Sequence, residues 1–319
     1  MVIHTRFAPS PTGRLHLGHA WSAIQAHDFA RERGGTFTLR IEDIDGTRSR
    51  PEHVEAILRD IEWLGLAWDG EVTFQSRRLG LYEAALDDLR ARGLLYPCFC
   101  TRADIAASLT APHGPEGALY PGTCRGLAAP DLGKPHCWRL DMVRALNLPL
   151  PLGEGRAPPA SGGGKGEGGG STLTLPPTAS APSLSQGERD LYWHDQIAGR
   201  ILADPASAGD VVLARKDAPA SYHLAVTVDD AAQGITHVVR GVDLFAATHV
   251  HRLLQALLNL PTPEYRHHPL LLGPDGTRLA KRHGAPSLEA MRLSGQDGPA
   301  LADQLRAGQL PVGIAAAQA

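Results

Sequence analysis

Arg6-Phe-Ala-Pro-Ser10-Pro-Thr-Gly13-Arg-Leu-His16-Leu-Gly18-His19 joins a short apolar strand to a long helical stretch. Val2 to Phe7 reads as the strand, Ala8 to Gly13 as a Pro/Gly/Ser-rich loop, and about Gly18 to Arg33 as the helix. Thr36 to Ile41 alternates as a second strand, and the helix after it carries Val54, Ile57, Leu58, Ile61 and Leu64 on one face. A third helix, Leu81 to Arg92, leads into an apolar strand around Leu94 to Phe99. This βαβα opening predicts an α/β fold, a Rossmann-like doubly wound parallel sheet. Such a sheet binds a nucleotide at the carboxyl end of a strand, beside a helix N-terminus whose free N–H groups favour anions. His16 and His19, three residues apart, can both donate hydrogen bonds to charge that grows on an attacked phosphate. An isolated His-x-x-His is more often a turn with exposed histidines, so the rest of the chain has to carry the distinction.

With 319 residues the chain has room for about two domains. Its 43% apolar and 20% charged residues suit a soluble globular enzyme. The formal charge of −3 leaves no protein-wide positive field, so any nucleic-acid phosphate must be met by a local patch. The first ten residues lack the basic-then-apolar pattern of a signal peptide, and no apolar run is long enough to span a bilayer. All four cysteines fall between Cys98 and Cys137, a clustering that points to a metal in a reducing, cytoplasmic setting. Cys98-x-Cys100 and Cys124 with a fourth donor, Tyr120 or Cys137, are enough for a closed tetrahedral zinc site; buried reduced thiols are the alternative.

The organisation expected is a first half of the catalytic domain at 1–97, a small zinc-binding module at 98–142, a Gly/Pro-rich insertion at 143–190, a second half at 191–260, and a loop with a short helical C-terminal part at 261–319. Positions 151–190 hold ten Gly and six Pro, too little apolar surface to offset ordering entropy. Beyond them, Asp210 to Arg215 and Thr236 to Arg240 read as strands, Tyr222 to Asp229 as a further ordered stretch, and Val242 to Leu260 as a helix.

The opening segment resembles the HIGH signature of the class I aminoacyl-tRNA synthetases, in the form typical of the glutamyl branch, with His16-Leu-Gly18-His19 standing for HIGH. The resemblance runs on through Arg40-Ile-Glu42-Asp-Ile-Asp45-x-x-Arg48, Tyr222 to Asp230, Val239-Arg240-Gly241-Val-Asp243 and Arg278-Leu-Ala-Lys281-Arg282, the last in the position of the KMSKS loop. It covers nearly all of 1–295 outside the insertion. It implies that Arg6, Ser10, Glu42, Tyr222 and Arg240 bind L-glutamate, that Pro9, Gly18, His16, His19 and Lys281 bind ATP, and that His16, His19 and Lys281 are catalytic. Glutamate needs cationic forks for its carboxylates and an acid for its ammonium, and this set supplies both. Arg40 with Glu42 also reads as a plain strand-end ion pair, and Arg240 as a surface arginine. The KMSKS positions depart from pattern at Arg278, Ala280 and Arg282.

Within the branch, Cys98-x-Cys100 with Tyr120-x-x-x-Cys124 resembles the arrangement of the short glutamyl-queuosine tRNA(Asp) synthetases, which favours Tyr120 over Cys137 as fourth zinc ligand. The 36 residues from Gly284 to Ala319 are too few for the helical anticodon-binding domain of a discriminating glutamyl-tRNA synthetase. The resemblance then implies a monomeric enzyme with one structural Zn²⁺, with Mg²⁺ accompanying ATP, and with queuosine-modified tRNA(Asp) as acceptor. Glutamyl-adenylate would form without tRNA. Competing expectations are a truncated synthetase charging tRNA(Glu), a nucleotidyltransferase for a small molecule, and a catalytically inactive RNA-binding relative.

Overall fold

The computed structural model describes residues 2–107, 119–148, 190–273, 275–277, 279, 287–310 and 313–317. Of the insertion expected at 143–190, residues 149–189 lie outside the described residues, as do Arg278, Ala280, Lys281 and Arg282, while its first residues continue a helix over Met142–Asn147. Strand β1 (His4–Phe7), helix α1 (Leu17–Arg31), β2 (Thr36–Ile41), α2 (Pro51–Trp63) and β3 (Thr73–Phe74) form the opening unit, with β1–β2–β3 paired in parallel. Helix α3 (Leu79–Ala91) follows. Next come β4 (Leu95–Cys98), α4 (Arg102–Ala107), β5 (Cys137–Leu140) and α5 (Met142–Asn147). The second half holds β6 (Tyr192–Asp195), β7 (Gly199–Leu202), β8 (Val212–Ala214), α6 (Tyr222–Ala232), β9 (His237–Gly241), α7 (Ala247–Leu257) and β10 (Glu264–His268). The chain closes with β11 (Leu271–Leu272), α8 (Leu288–Leu293), α9 (Gly298–Arg306) and β12 (Ala315–Ala316).

Strands β9, β10 and β6 run parallel, and β7 folds back on β6 as a hairpin. The two parallel groups meet where β9 begins beside β1: the Thr236 N–H donates to the His4 carbonyl at 3.0 Å, and the His4 N–H to Thr236 Oγ1 at 2.8 Å. Strand order therefore reverses between β1 and β9. That is the topological switch point at which open parallel sheets leave a crevice beyond their carboxyl ends. One apolar core joins α1, β1, β2 and α2 to Leu288, Met291, Leu301 and Leu305 of the C-terminal helices; a second joins α3, β4, α5, β8, α6 and α7.

Two elements differ from the sequence expectation. The stretch Val242–Leu260 is not one helix: a 3₁₀ turn at Val242–Leu244 precedes α7, and His251, Arg252 and Gln255 are buried on that helix beside its leucines. The sheet also runs on past residue 260, because β10, Glu-Tyr-Arg-His-His with no aliphatic residue, is a central strand. The described part of 98–142 contributes β5 to an antiparallel sheet, β4–β5–β8, that ties the cysteine module to the second half. Asp210, buried, fastens the join by accepting from Arg125 Nε at 3.0 Å, from the Met142 N–H at 3.0 Å and from the Tyr96 hydroxyl.

Candidate active site

A cavity of about 460 Å³ opens over the switch point. The carboxyl ends of β1, β2, β9 and β10 supply Arg6, Glu42, Arg240, Gly241 and His268, the loop after β1 supplies Pro9 and Ser10, and the start of α1 supplies His16, Gly18 and His19. Tyr222, the first residue of α6, completes the wall. Every residue expected at the glutamate and ATP sites thus lines one cavity, except Lys281, which lies outside the described residues; its neighbour Leu279 is buried in the wall.

His16 caps α1. Its Nδ1 accepts from the Gly18 N–H at 3.1 Å, while His19 Nδ1 accepts from the His16 N–H at 3.1 Å. With both Nδ1 atoms acting as acceptors, each ring carries its proton on Nε2 and keeps an N–H donor there. A Cβ on Gly18 would lie 3.0 Å from His16 Cε1, so glycine is what lets the ring fold onto the helix end. Leu288 N–H donates to the Leu15 carbonyl and Arg14 pairs with Glu289 at 2.6 Å, which pins the signature loop to α8.

Beside the cavity lies a buried charge network. Asp230 accepts from Arg6 at 3.0 and 3.2 Å and from Arg40 at 2.8 Å. Burial opposes ionisation of Asp230, but the Arg6 and Arg40 guanidiniums outweigh it and hold its pKa below the usual carboxylate value. Asp229 binds Gln75, Arg78 and Tyr82 at 2.7, 2.7 and 2.8 Å. Glu42 sits 3.6 Å from Arg40 and lines the cavity, so the strand-end ion pair borders that cavity. Burial pushes the Glu42 carboxyl up to about 7, against the pull of Arg40 and Arg6.

Arg240 differs from Arg6. It is 6% exposed, yet among the described residues no carboxylate lies within ion-pair distance of it. Its partners are neutral: His267 Nε2 at 3.1 Å, Thr248 Oγ1 at 2.7 Å, the Leu244 carbonyl at 3.1 Å and Tyr222 Oη at 3.2 Å. A buried cation without a counter-ion is costly, and a ligand carboxylate entering beside Tyr222 would remove that cost. Trp21, Ser22 and His268, which the sequence reading missed, line the same cavity; His268 Nε2 is 2.8 Å from Ser22 Oγ, and Trp21 Nε1 donates to the Pro269 carbonyl at 3.1 Å. Asp229 and Asp230 stood within a quoted motif, but nothing in their spacing marked them as the hub.

In the module, Cys98, Cys100 and Cys124 bring their sulfurs within 4.8 Å of one another, a group that can hold a metal ion. Tyr120 Oη lies 3.6 Å from Cys100 Sγ and accepts from the Cys124 N–H at 2.8 Å. Cys137 Sγ turns instead to the Cys98 carbonyl, at 3.5 Å. Three soft sulfurs with a nearby phenolic oxygen fit the tetrahedral donor set of a structural zinc.

Against this geometry stand the relatives. The family model for class I tRNA synthetases (E and Q), catalytic domain, matches residues 2–127 and 184–308. A glutamyl-Q tRNA(Asp) synthetase from Rhodobacter capsulatus is 45% identical over 91% of this chain and 95% of its own length. The chain belongs to the glutamyl-Q tRNA(Asp) synthetase family. Another member, from Symbiobacterium thermophilum, is 43% identical over 91% of this chain and 81% of its own length. Among solved structures, a glutamate-tRNA synthetase from Elizabethkingia anophelis shares the fold with a TM-score of 0.68 at 23% identity; it matches 96% of this chain, which spans 61% of that protein. Membership of a family of class I ligases fits a cavity that joins a helix-capping histidine pair to a buried arginine with no carboxylate partner among the described residues. No helix among the described residues is long and apolar enough to cross a membrane.

Proposed function

We propose that this chain activates L-glutamate with ATP and transfers it to queuosine at the first anticodon position of tRNA(Asp), as a cytoplasmic monomer. The observation that carries the reading is Arg240, a buried guanidinium with no carboxylate partner among the described residues, which stands beside Tyr222 in the cavity also lined by Glu42, His16 and His19. Glutamate brings carboxylates for Arg240 and for the Arg6 side, and an ammonium for Glu42. Its α-carboxylate oxygen attacks the α-phosphorus of ATP, a P–O bond forms as the bond to pyrophosphate breaks, and glutamyl-adenylate results. His16 and His19 donate from Nε2 to the phosphate oxygens as charge builds, and Lys281 is assigned the same task from the loop. Mg²⁺ accompanies ATP and counters its charge. A hydroxyl of the cyclopentenediol ring then attacks the activated carbonyl; an ester forms and AMP leaves. Activation needs no tRNA. Cys98, Cys100, Tyr120 and Cys124 are the ligands we assign to one structural zinc, which would tie the module's two segments together.

The test is incorporation of labelled glutamate into queuosine-containing tRNA(Asp), unmodified tRNA(Asp) and tRNA(Glu), beside glutamate-dependent pyrophosphate exchange without tRNA. Label on the first alone, surviving periodate oxidation of the 3′ end, is the expected result. Label on tRNA(Glu) would make this a conventional charging enzyme, and no exchange with no label would make it inactive. Gly18→Ala is expected to displace His16 and to lower exchange by roughly 10- to 100-fold, the scale of a misplaced reacting group, with the melting temperature little changed. Wild-type exchange by Gly18→Ala would remove His16 from the argument.

A further inference from the structure

Arg240, His267 and Asp195 stand in line across three adjacent parallel strands, β9, β10 and β6. Arg240 and His267 are register partners, and Asp195 ends β6 opposite Tyr265. Arg240 Nε donates to His267 Nε2 at 3.1 Å, and His267 Nδ1 is 2.7 Å from Asp195 Oδ2. Asp195 is fixed in turn: it accepts from the backbone N–H groups of Ile197, Ala198 and His267 at 2.8, 2.9 and 3.0 Å. The His267 ring is walled by Trp193, Phe245 and Tyr265, the last stacked within 5° of parallel. All three members of the line are buried.

These bonds determine the tautomer. An arginine Nε has only a proton to give, so His267 Nε2 must be bare; its single proton is then on Nδ1, directed at Asp195. We infer that Asp195 and His267 are positioning residues that aim Arg240 at the amino-acid substrate while keeping its charge unspent. A carboxylate placed directly on Arg240, as Asp230 is on Arg6, would neutralise the cation that the substrate carboxylate is to meet. Interposing a neutral imidazole gives Nε an acceptor and leaves the positive charge for the ligand. The second terminal nitrogen is tied to Leu244 and Thr248, which leaves the nitrogen beside Tyr222, also in contact with His251 Nδ1 at 3.4 Å, as the one to meet a ligand. The inference deepens the glutamate reading and rests on it for the identity of the substrate.

Two variants separate aiming from mere packing. In His267→Gln the amide oxygen reaches the place of Nε2 and still accepts from Arg240, whereas in His267→Asn the shorter amide keeps a donor for Asp195 and leaves Arg240 Nε unmet. In pyrophosphate exchange, His267→Asn is expected to raise KM for glutamate roughly 10- to 100-fold, as for a truncated buried hydrogen-bonded charge pair, with KM for ATP within about twofold. His267→Gln should return glutamate KM to within about threefold of wild type. Equal glutamate KM in both variants, or a parallel rise in KM for ATP, would overturn the inference. A second readout needs no activity: ¹⁵N NMR of the wild-type chain should show His267 protonated on Nδ1 and bare on Nε2 at neutral pH, and the reverse tautomer would overturn it too. If the wild-type chain exchanges no pyrophosphate with glutamate, the functional reading fails, while the NMR result still decides the Asp195–His267–Arg240 line.

Discussion

Asp230→Ala is expected to lower the free energy of unfolding by about 3–5 kcal/mol, the cost of leaving buried charges without their partner. Asp230 is the carboxylate on which two strands converge, Arg6 from β1 and Arg40 from β2, and it reaches them from α6. Arg40 is fully buried, and among the described residues its Nε and second terminal nitrogen find no hydrogen-bond partner, so the bonds to Asp230 and Gln233 are its main satisfaction. Removing Asp230 strands two guanidiniums, with Glu42 at 3.6 Å and Asp229 at 3.8 Å from Arg40 as partial substitutes. Because the Asp230 pKa is depressed in the fold, its contribution is present above the ordinary carboxylate pKa and is lost as pH falls through the folded value. Urea denaturation at pH 7 measures the effect, and Asp230→Asn, which keeps one acceptor oxygen, should fall between alanine and wild type. A midpoint for Asp230→Ala within about 0.5 kcal/mol of wild type, the range of ordinary surface changes, would show that the network is not what holds these strands together.

The contrast between Asp230 and Arg240 explains what could be read in the sequence. The first βαβα unit was legible because its buried faces are apolar at the right period, and the loop between Phe7 and Leu17 places glycine and histidine where a helix end must be capped. Glu42 and Arg240 were singled out through the glutamyl-branch resemblance, and both line the one cavity. Strand β10 was not, because it satisfies burial through hydrogen-bonded histidines: His267 on Asp195 and Arg240, His268 on Ser22 and Pro269. Helix α7 broke the expected pattern for the same reason, since His251, Arg252 and Gln255 are buried with partners at Arg240, the Tyr192 carbonyl and Tyr265. Period and hydropathy detect apolar burial only; a polar residue made innocuous by a partner two hundred positions away carries no local mark. Spacing alone allows either Tyr120 or Cys137 as a fourth donor. In the fold Tyr120 Oη lies 3.6 Å from Cys100 Sγ, whereas Cys137, paired with Cys98 across β4 and β5, stands outside the group of three sulfurs.

Glu42→Gln should reduce kcat/KM for glutamate by roughly 10²-fold or more at pH 8, the scale of losing one partner of a desolvated charge pair, while leaving KM for ATP nearly unchanged. The reason is the form in which Glu42 must act. To hold an ammonium it has to be ionised, yet burial raises its pKa to about 7 even with Arg40 and Arg6 nearby. In the wild-type chain kcat/KM for glutamate should therefore fall about tenfold per pH unit below about 7, as an essential base is protonated. The glutamine variant should show no such limb. Stability runs the other way. A carboxyl whose folded pKa is raised binds its proton more tightly in the fold, so its contribution is greatest below the unfolded value, declines as pH rises toward about 7, and is constant above. Glu42→Gln removes that penalty and should be at least as stable as wild type at pH 8, despite its lost activity. Activity and stability thus move in opposite directions at one residue, as expected where a buried acid is kept for its ligand rather than for the fold. A variant that is less stable at pH 8, with an unaltered acid limb in its glutamate profile, would instead make Glu42 a structural partner of Arg40.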